Sequence, residues 1–217
     1  MSSRRFPGKV LTPLLGKPLL RHAYDHAVQA GVCEAQHVVV LTSSHSTDDA
    51  VEAYCQDHDL QYYRGPLEDV LGRFAGVVAR HGGKRIVRLT ADSPLVPVEL
   101  FRFIAALLDK SSWDLVTTTH HRTLPKGMNI EAFTSSALIR ALEAGDLSDS
   151  DREHVTAYFH RHPEKFRICN VGLRSHNYSA LDYAVDDPED LARLEDSAGE
   201  VLTAMPWHDL EAQAVVA

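Results

Sequence analysis

The chain has no excess of positive charge, no long apolar run and no cysteine framework, and each absence closes off a class of function. Its formal net charge is -8. Acidic and basic residues are interspersed over most of the length, so no broad basic face is offered to a nucleic-acid backbone. Binding of nucleic acid is therefore disfavoured. No stretch approaches the roughly 20 apolar residues that span a bilayer, and the N-terminus lacks the apolar core of a signal peptide. A soluble, cytoplasmic protein with no membrane partner is expected. Cys33, Cys55 and Cys169 are odd in number and widely spaced, unlike a disulfide framework or the paired spacing of a zinc site. They read as reduced thiols. His22 and His26 stand one helical turn apart and could bind a metal, but no third ligand is evident nearby. They read as a solvated helix face, as do His58, His120-His121, and His160 with His162.

What the chain does have is an uneven distribution of charge. Between Met1 and Tyr24 it carries Arg4, Arg5, Lys9, Lys17 and Arg21 and no acid. The opening run Met1-Ser2-Ser3-Arg4-Arg5-Phe6-Pro7-Gly8-Lys9 combines hydroxyls, guanidiniums, a Pro-Gly turn and an ammonium. Such a set can wrap a polyphosphate, because glycine lets backbone N–H groups approach and the cations neutralise the oxygens. A phosphate-bearing substrate is implied. An organelle transit peptide and a solvated basic tail are the competing readings. Pro7, Gly8, Pro13, Gly16 and Pro18 count against the first, since they interrupt the amphipathic helix it requires. The second stays open.

A length of 217 residues suits one domain spanning the whole chain. Apolar residues at helical spacing predict helices between Pro18 and Gly31, from Asp48-Asp49 towards His58, from Leu67 to Gly82-Gly83, and from Pro97 through Leu108. Short apolar runs predict strands at 38–41, 60–63, 86–90 and 115–118. Strands alternating with amphipathic helices imply a mostly parallel sheet covered on both faces, a three-layer α/β domain. Beyond residue 119 the rhythm loosens. Strands are expected at 130–133, 166–171 and 181–185, a helix over 135–144, and a capping box from Ser150 to Glu153 opening another. Asp187 at the N-cap and Pro188 at N1 then start a last helix.

In an open α/β sheet, ligands bind beyond the carboxyl ends of the strands. Asp92 falls there, within Thr90-Ala91-Asp92-Ser93-Pro94-Leu95, and so does Asp186, after Tyr183-Ala184-Val185. Two carboxylates at neighbouring strand ends could hold Mg²⁺, which takes few protein oxygens and leaves room for phosphates. Turn formation or helix capping is the plainer explanation of each, and it fits Asp187 better than Asp92 or Asp186.

These residues fall into a family pattern. The chain resembles the cytidylyltransferases of bacterial surface-sugar biosynthesis, particularly the spore-coat polysaccharide branch related to the enzymes that make CMP-activated acidic sugars. The matching pieces are Ser3 to Leu11, Gly16-Lys17-Pro18, Arg64-Gly65 with Glu68-Asp69-Val70-Leu71, Thr90 to Leu95, Ser150-Asp151-Arg152-Glu153-His154-Val155-Thr156, and Val185 to Leu191. They occur in family order along nearly the whole chain. The resemblance implies a Rossmann-like fold of the nucleotide-diphospho-sugar transferase type, with residues 119–180 as a substrate and dimerisation subregion and a homodimer as the assembly. It implies transfer of CMP from CTP to a hydroxyl of an acidic acceptor, with pyrophosphate leaving.

By the same resemblance Ser3, Arg5 and Lys9 would cradle the triphosphate, with Thr90 and Arg73 near the nucleotide, although a surface salt bridge would equally explain Arg73. Asp92 and Asp186 would hold Mg²⁺. Arg5, Lys9 and Asp92 form the catalytic set, while Asn129, Glu131, Arg152 and His154 would serve the acceptor; His154 could instead be a buried hydrogen-bonding residue. No general base stands out. Where relatives tend to read Asp-Gly-Leu-Asp-Val-Glu, this chain has Lys126-Gly127-Met128-Asn129-Ile130-Glu131, which predicts a pocket favouring a more anionic acceptor. Ala91 replaces a customary glycine. Relatives also place a strand ending in Ala-Arg before the residue matching Met1, so the expectation is that Met1 is internal, with a central strand and one more phosphate-binding arginine upstream. A nucleotide-sugar glycosyltransferase and a catalytically impaired nucleotide-binding or regulatory subunit are the rival functions.

Overall fold

Pro18 and Gly31 bracket the first helix for opposite reasons. Proline carries a preset φ into the helix start, and Gly31 adopts φ 64°, the left-handed conformation that lets its N–H close on the Val28 carbonyl. The computed structural model describes residues 5–110 and 112–215, apart from the side chains of 197–204. Its strands are β1 (Pro13–Leu14), β2 (Lys17–Pro18), β3 (Val39–Ser43), β4 (Gln61–Gly65), β5 (Arg85–Arg88), β6 (Leu115–Thr117), β7 (Glu131–Thr134), β8 (Ile168–Leu173) and β9 (Leu210–Val215). Its helices are α1 (Leu19–Ala30), α2 (Asp49–Asp57), α3 (Val70–His81), α4 (Val98–Lys110), α5 (Ser135–Leu142), α6 (Asp149–Glu153), α7 (Ala157–Arg161) and α8 (Pro188–Ala204).

The strands β3 and β4 pair in parallel, and a five-stranded sheet runs in the order β5-β7-β6-β8-β9. Within it β5, β6 and β8 share one direction, and β7 and β9 oppose them. Among the described residues β3 and β5 each pair on one side only. Successive strand residues face opposite layers, as the period of 2 requires. Val116, Ala132, Cys169 and Val171 pack with α1, α4 and α8, while Leu115, Phe133 and Ile168 pack with α3, α5 and α7. A third cluster, Leu20, Val40, Val51, Cys55 and Leu60, seats α2 on β3 and β4. The result is a three-layer, Rossmann-like α/β arrangement. Burial pushes the Cys55 and Cys169 thiols up to about 11, so both stay protonated and inert at neutral pH. Among the described residues no helix is long and apolar enough to cross a membrane.

Asp187 does cap α8, in a reciprocal box with Asp190 and with Pro188 at N1. The second capping box lies two residues before its expected position. Ser148 accepts from the Asp151 N–H at 3.2 Å, and the Ser148 N–H donates to Asp151 Oδ2 at 2.9 Å. Arg161 also donates to Asp151, so the acid that closes the box is the buried Asp151 and Ser150 lies inside α6.

Residues 181–185 are not a strand, since only an isolated bridge joins Asp182 to Lys126. The antiparallel edge β9 takes the place beside β8 that the apolar pattern did not reveal. Its Ala212 and Ala214 are too small, and its Glu211 and Gln213 too polar, to read as a strand.

Candidate active site

The turn Phe6-Pro7-Gly8 ends with Gly8 at φ 80°, and a single 3-10 turn, Lys9–Leu11, follows. The turn sends the Lys9 side chain inward. Its ammonium donates to Asp92 Oδ2 at 3.1 Å, to the Val185 carbonyl at 2.8 Å and to Asp186 Oδ1 at 3.4 Å. Only 13% of that side chain is exposed, so the charge is partly withdrawn from water and its interactions are strengthened. The Val185 N–H donates to the Asp92 carbonyl at 2.9 Å, which stitches together the two segments carrying the carboxylates. Asp92 and Asp186 thus converge on one cation from distant parts of the chain.

Asp186 gathers two more cations. Lys126 Nζ donates to its Oδ2 at 2.9 Å, and Arg5 Nη2 stands 3.1 Å from the same oxygen. The Lys126 hydrogen bond, with help from Lys9 and against burial, holds the Asp186 carboxyl down to about 2. Lys126 also donates to Asp182 at 2.9 Å, and the two carboxylates raise its own pKa. The backbone fixes where Lys126 starts: its N–H reaches the Leu181 carbonyl at 2.9 Å, and its carbonyl receives the Tyr183 N–H at 2.8 Å. Gly127 makes that clasp possible. It sits at φ 86°, and a Cβ there would come within 2.3 Å of the backbone at Tyr183 and Ala184. Gly127→Ala is expected to lower stability by about 2 kcal/mol, because the left-handed backbone and the clash add. Thermal melting checks this; an unchanged midpoint would mean the clasp is looser than drawn.

Beside this cluster Arg88, Thr90, Asp92, Thr119, Asn129 and Glu131 line a cleft of about 290 Å³. That is the small end of the range for ligand sites, and it suits a sugar-sized group. The β5–β7 register places Arg88 directly across from Glu131, and Arg88 Nη1 donates to Glu131 Oε2 at 2.5 Å. Thr156 Oγ1 donates to the other oxygen at 2.7 Å, and His160 Nε2 lies 3.7 Å from it. Burial alone would raise the Glu131 pKa, but His160, Arg88 and Thr156 together hold it down to about 2. Arg122 donates to the Asn129 side-chain oxygen at 2.6 Å.

Of the residues picked out in the sequence, Arg5, Lys9, Asp92 and Asp186 meet in one cluster, and Thr90, Asn129 and Glu131 share the cleft with Asp92. Ser3 lies outside the described residues. Arg73 is buried in α3 beneath Gly65, with one bond to the Leu67 carbonyl at 3.4 Å and no partner for Nε. Burial lowers its pKa. Arg152 pairs with Asp69 at 3.6 Å, and His154 is exposed at the end of α6. No described contact carries either to the cleft, whereas Thr156 from the same stretch reaches Glu131.

The histidines correct an expectation. His120 and His160 are stacked with ring centroids 5.3 Å apart and Nδ1 atoms at 3.1 Å, packed behind Glu131 instead of solvated. Burial, then His160, lowers the His120 pKa. His22 Nε2 meets the Leu14 carbonyl at 2.9 Å, and His26 is half-buried, with burial lowering its pKa. The pair is therefore not the solvated helix face that the spacing suggested, and the buried Nδ1 of His26 has no hydrogen-bond partner.

Among the described residues no group of three or more His, Cys, Asp or Glu side chains is placed to hold a metal. The pair Asp92 and Asp186 does fit Mg²⁺. That ion needs only one or two protein carboxylates when phosphates and water complete its shell, and the two acids already converge on a point that attracts a cation.

The chain is 32% identical over 207 residues to the spore coat polysaccharide biosynthesis protein SpsF of Bacillus subtilis (strain 168), covering 92% of this chain and 85% of that protein. It is 32% identical over 146 residues to a 3-deoxy-manno-octulosonate cytidylyltransferase of Yersinia enterocolitica, covering 66% of this chain and 55% of that one. Its fold matches the structure of a cytidylyltransferase from Leptospira borgpetersenii with a TM-score of 0.82 at 26% identity, over 96% of this chain and 87% of the other. The family model described as cytidylyltransferase matches residues 1–204, and the chain belongs to the cytidylyltransferase family.

Proposed function

We propose that the protein transfers CMP from CTP to a hydroxyl of an acidic sugar, releasing pyrophosphate, as a step in surface polysaccharide or glycoconjugate biosynthesis. The observation that carries this reading is the convergence of Asp92, Asp186 and Lys9 beside a cleft that holds Arg88. Asp92 and Asp186 would hold Mg²⁺, whose chemistry when bound is to polarise the α-phosphate as a Lewis acid. Arg5 is 67% exposed on its side chain, so it can reach out to the phosphates. Lys9 offsets the charge that builds on pyrophosphate as its bond to the α-phosphorus breaks, a preorganised electrostatic contribution. Arg88, anchored to Glu131 through one nitrogen, keeps its remaining N–H groups for an anionic acceptor in the cleft. Thr90, Thr119 and Asn129 supply neutral polar groups around it.

The test is pyrophosphate release with each of the four nucleotides against carboxylated and neutral sugars. Release with CTP and a carboxylated sugar is expected. Consumption of a nucleotide-sugar without pyrophosphate would point to glycosyl transfer instead, and no release under any combination would sink the reading. Arg88→Lys keeps the charge beside Glu131 but loses the planar fork. It should raise the acceptor KM about tenfold, the cost of a charge-assisted hydrogen bond, while the CTP KM stays within about twofold. Equal changes in both would remove Arg88 from the acceptor side.

A further inference from the structure

We infer that Lys126 is a built-in competitor for the divalent cation, and that it makes metal binding depend on the triphosphate. The inference rests on the assignment of Asp92 and Asp186 as the metal pair. Three cations, Arg5, Lys9 and Lys126, interlock with three carboxylates, Asp92, Asp182 and Asp186. Among the described residues the cluster is charge-balanced without any ion. Both oxygens of Asp186 are engaged, Oδ1 by Lys9, and Oδ2 by Lys126 at 2.9 Å and Arg5 at 3.1 Å.

A divalent cation arriving alone would bring two charges into a neutral cluster and displace ammonium contacts from Asp186. Arriving with a triphosphate, it brings its own counter-charge. The phosphates also offer Lys126 and Arg5 new partners. The clasp through Leu181, Tyr183 and Gly127 holds the Lys126 backbone in place, so the exchange needs only the side chain to move, and that side chain is 46% exposed.

Lys126 therefore carries a coupling between metal and nucleotide, and such coupling is reciprocal. Without Lys126, Asp92, Asp182 and Asp186 would form an acidic site with surplus negative charge.

The experiment is titration of the full chain with Mn²⁺, followed by the loss of free-ion paramagnetic signal, with and without CTP. The parent protein should bind Mn²⁺ weakly alone and at least about tenfold more tightly with CTP. Lys126→Met should bind Mn²⁺ alone about tenfold more tightly than the parent, with a smaller gain from CTP and a difference that shrinks as salt screens the charge. Lys126→Arg should follow the parent. Asp182→Asn, which leaves the cluster with surplus positive charge, should bind Mn²⁺ more weakly alone. Equal affinity of the parent and Lys126→Met for Mn²⁺ alone overturns the inference and leaves the metal pair standing. Calorimetric binding of CTP with no Mn²⁺ uptake in any of the proteins overturns both.

Discussion

Lys9→Met is expected to cut CMP transfer by about 10³-fold, the scale seen when a preorganised electrostatic group is removed from a transition state. The variant deletes the ammonium that bridges Asp92 Oδ2 and Asp186 Oδ1 and with it the charge we propose faces the departing pyrophosphate. It also leaves the two carboxylates facing each other without their shared partner. Their repulsion would be relieved in part by Lys126 and Arg5, which still reach Asp186, so the fold should survive. The measurement is kcat by pyrophosphate release, with thermal melting as the check on folding. Lys9→Arg should recover part of the loss, since it restores charge but cannot place a compact ammonium between the acids. A folded Lys9→Met protein within tenfold of the parent would remove Lys9 from the chemistry.

Glu131→Ala is expected to destabilise the protein by about 3 kcal/mol, the typical cost of leaving one partner of a buried ion pair uncompensated. Glu131 is 3% exposed, and its loss strands Arg88, Thr156 and His160 around a cavity. For a chain of this length that corresponds to a fall of roughly 6 to 12 °C in melting midpoint.

The same residue has a pH signature. Its folded pKa is held down to about 2 from an ordinary 4.5, so the stability it confers is fully present above the unfolded value and is lost as pH falls through the folded one. Melting midpoints of the parent should therefore decline between pH 4.5 and 2, and Glu131→Gln should show a shallower decline over that window. Parallel acid limbs for the two proteins would mean that other carboxylates dominate.

Parts of this molecule were legible one residue at a time. The helical spacing behind Pro18 and the N-cap and proline at Asp187-Pro188 are local signals, and each stands where it was expected; Asp92 and Asp186 do meet on Lys9, but Asp186 follows a loop and not the expected strand. The cleft was less legible. Arg88 is one cation among many until the β5–β7 register sets it against Glu131. His120 and His160, 40 residues apart, stack only because α7 packs back over the end of β6. Residues 181–185 look like a strand because they are mostly apolar, yet their neighbour is a single clasp at Lys126 rather than a ladder. No local pattern distinguishes those cases, because a strand becomes one only by finding a partner.

The substitution at Lys126 shows the division most clearly. Read in line with its relatives, it is a cation in place of an acid, and it predicted a more anionic acceptor. In three dimensions its ammonium sits on Asp182 and Asp186, so its first effect falls on the carboxylates we propose for the metal. The amino-acid sequence by itself determined the fold class and the family, because caps, hydrophobic period and motif spacing act over a few residues. Only the tertiary structure decided which charges share a site, since Coulomb interactions depend on separation in space and not along the chain.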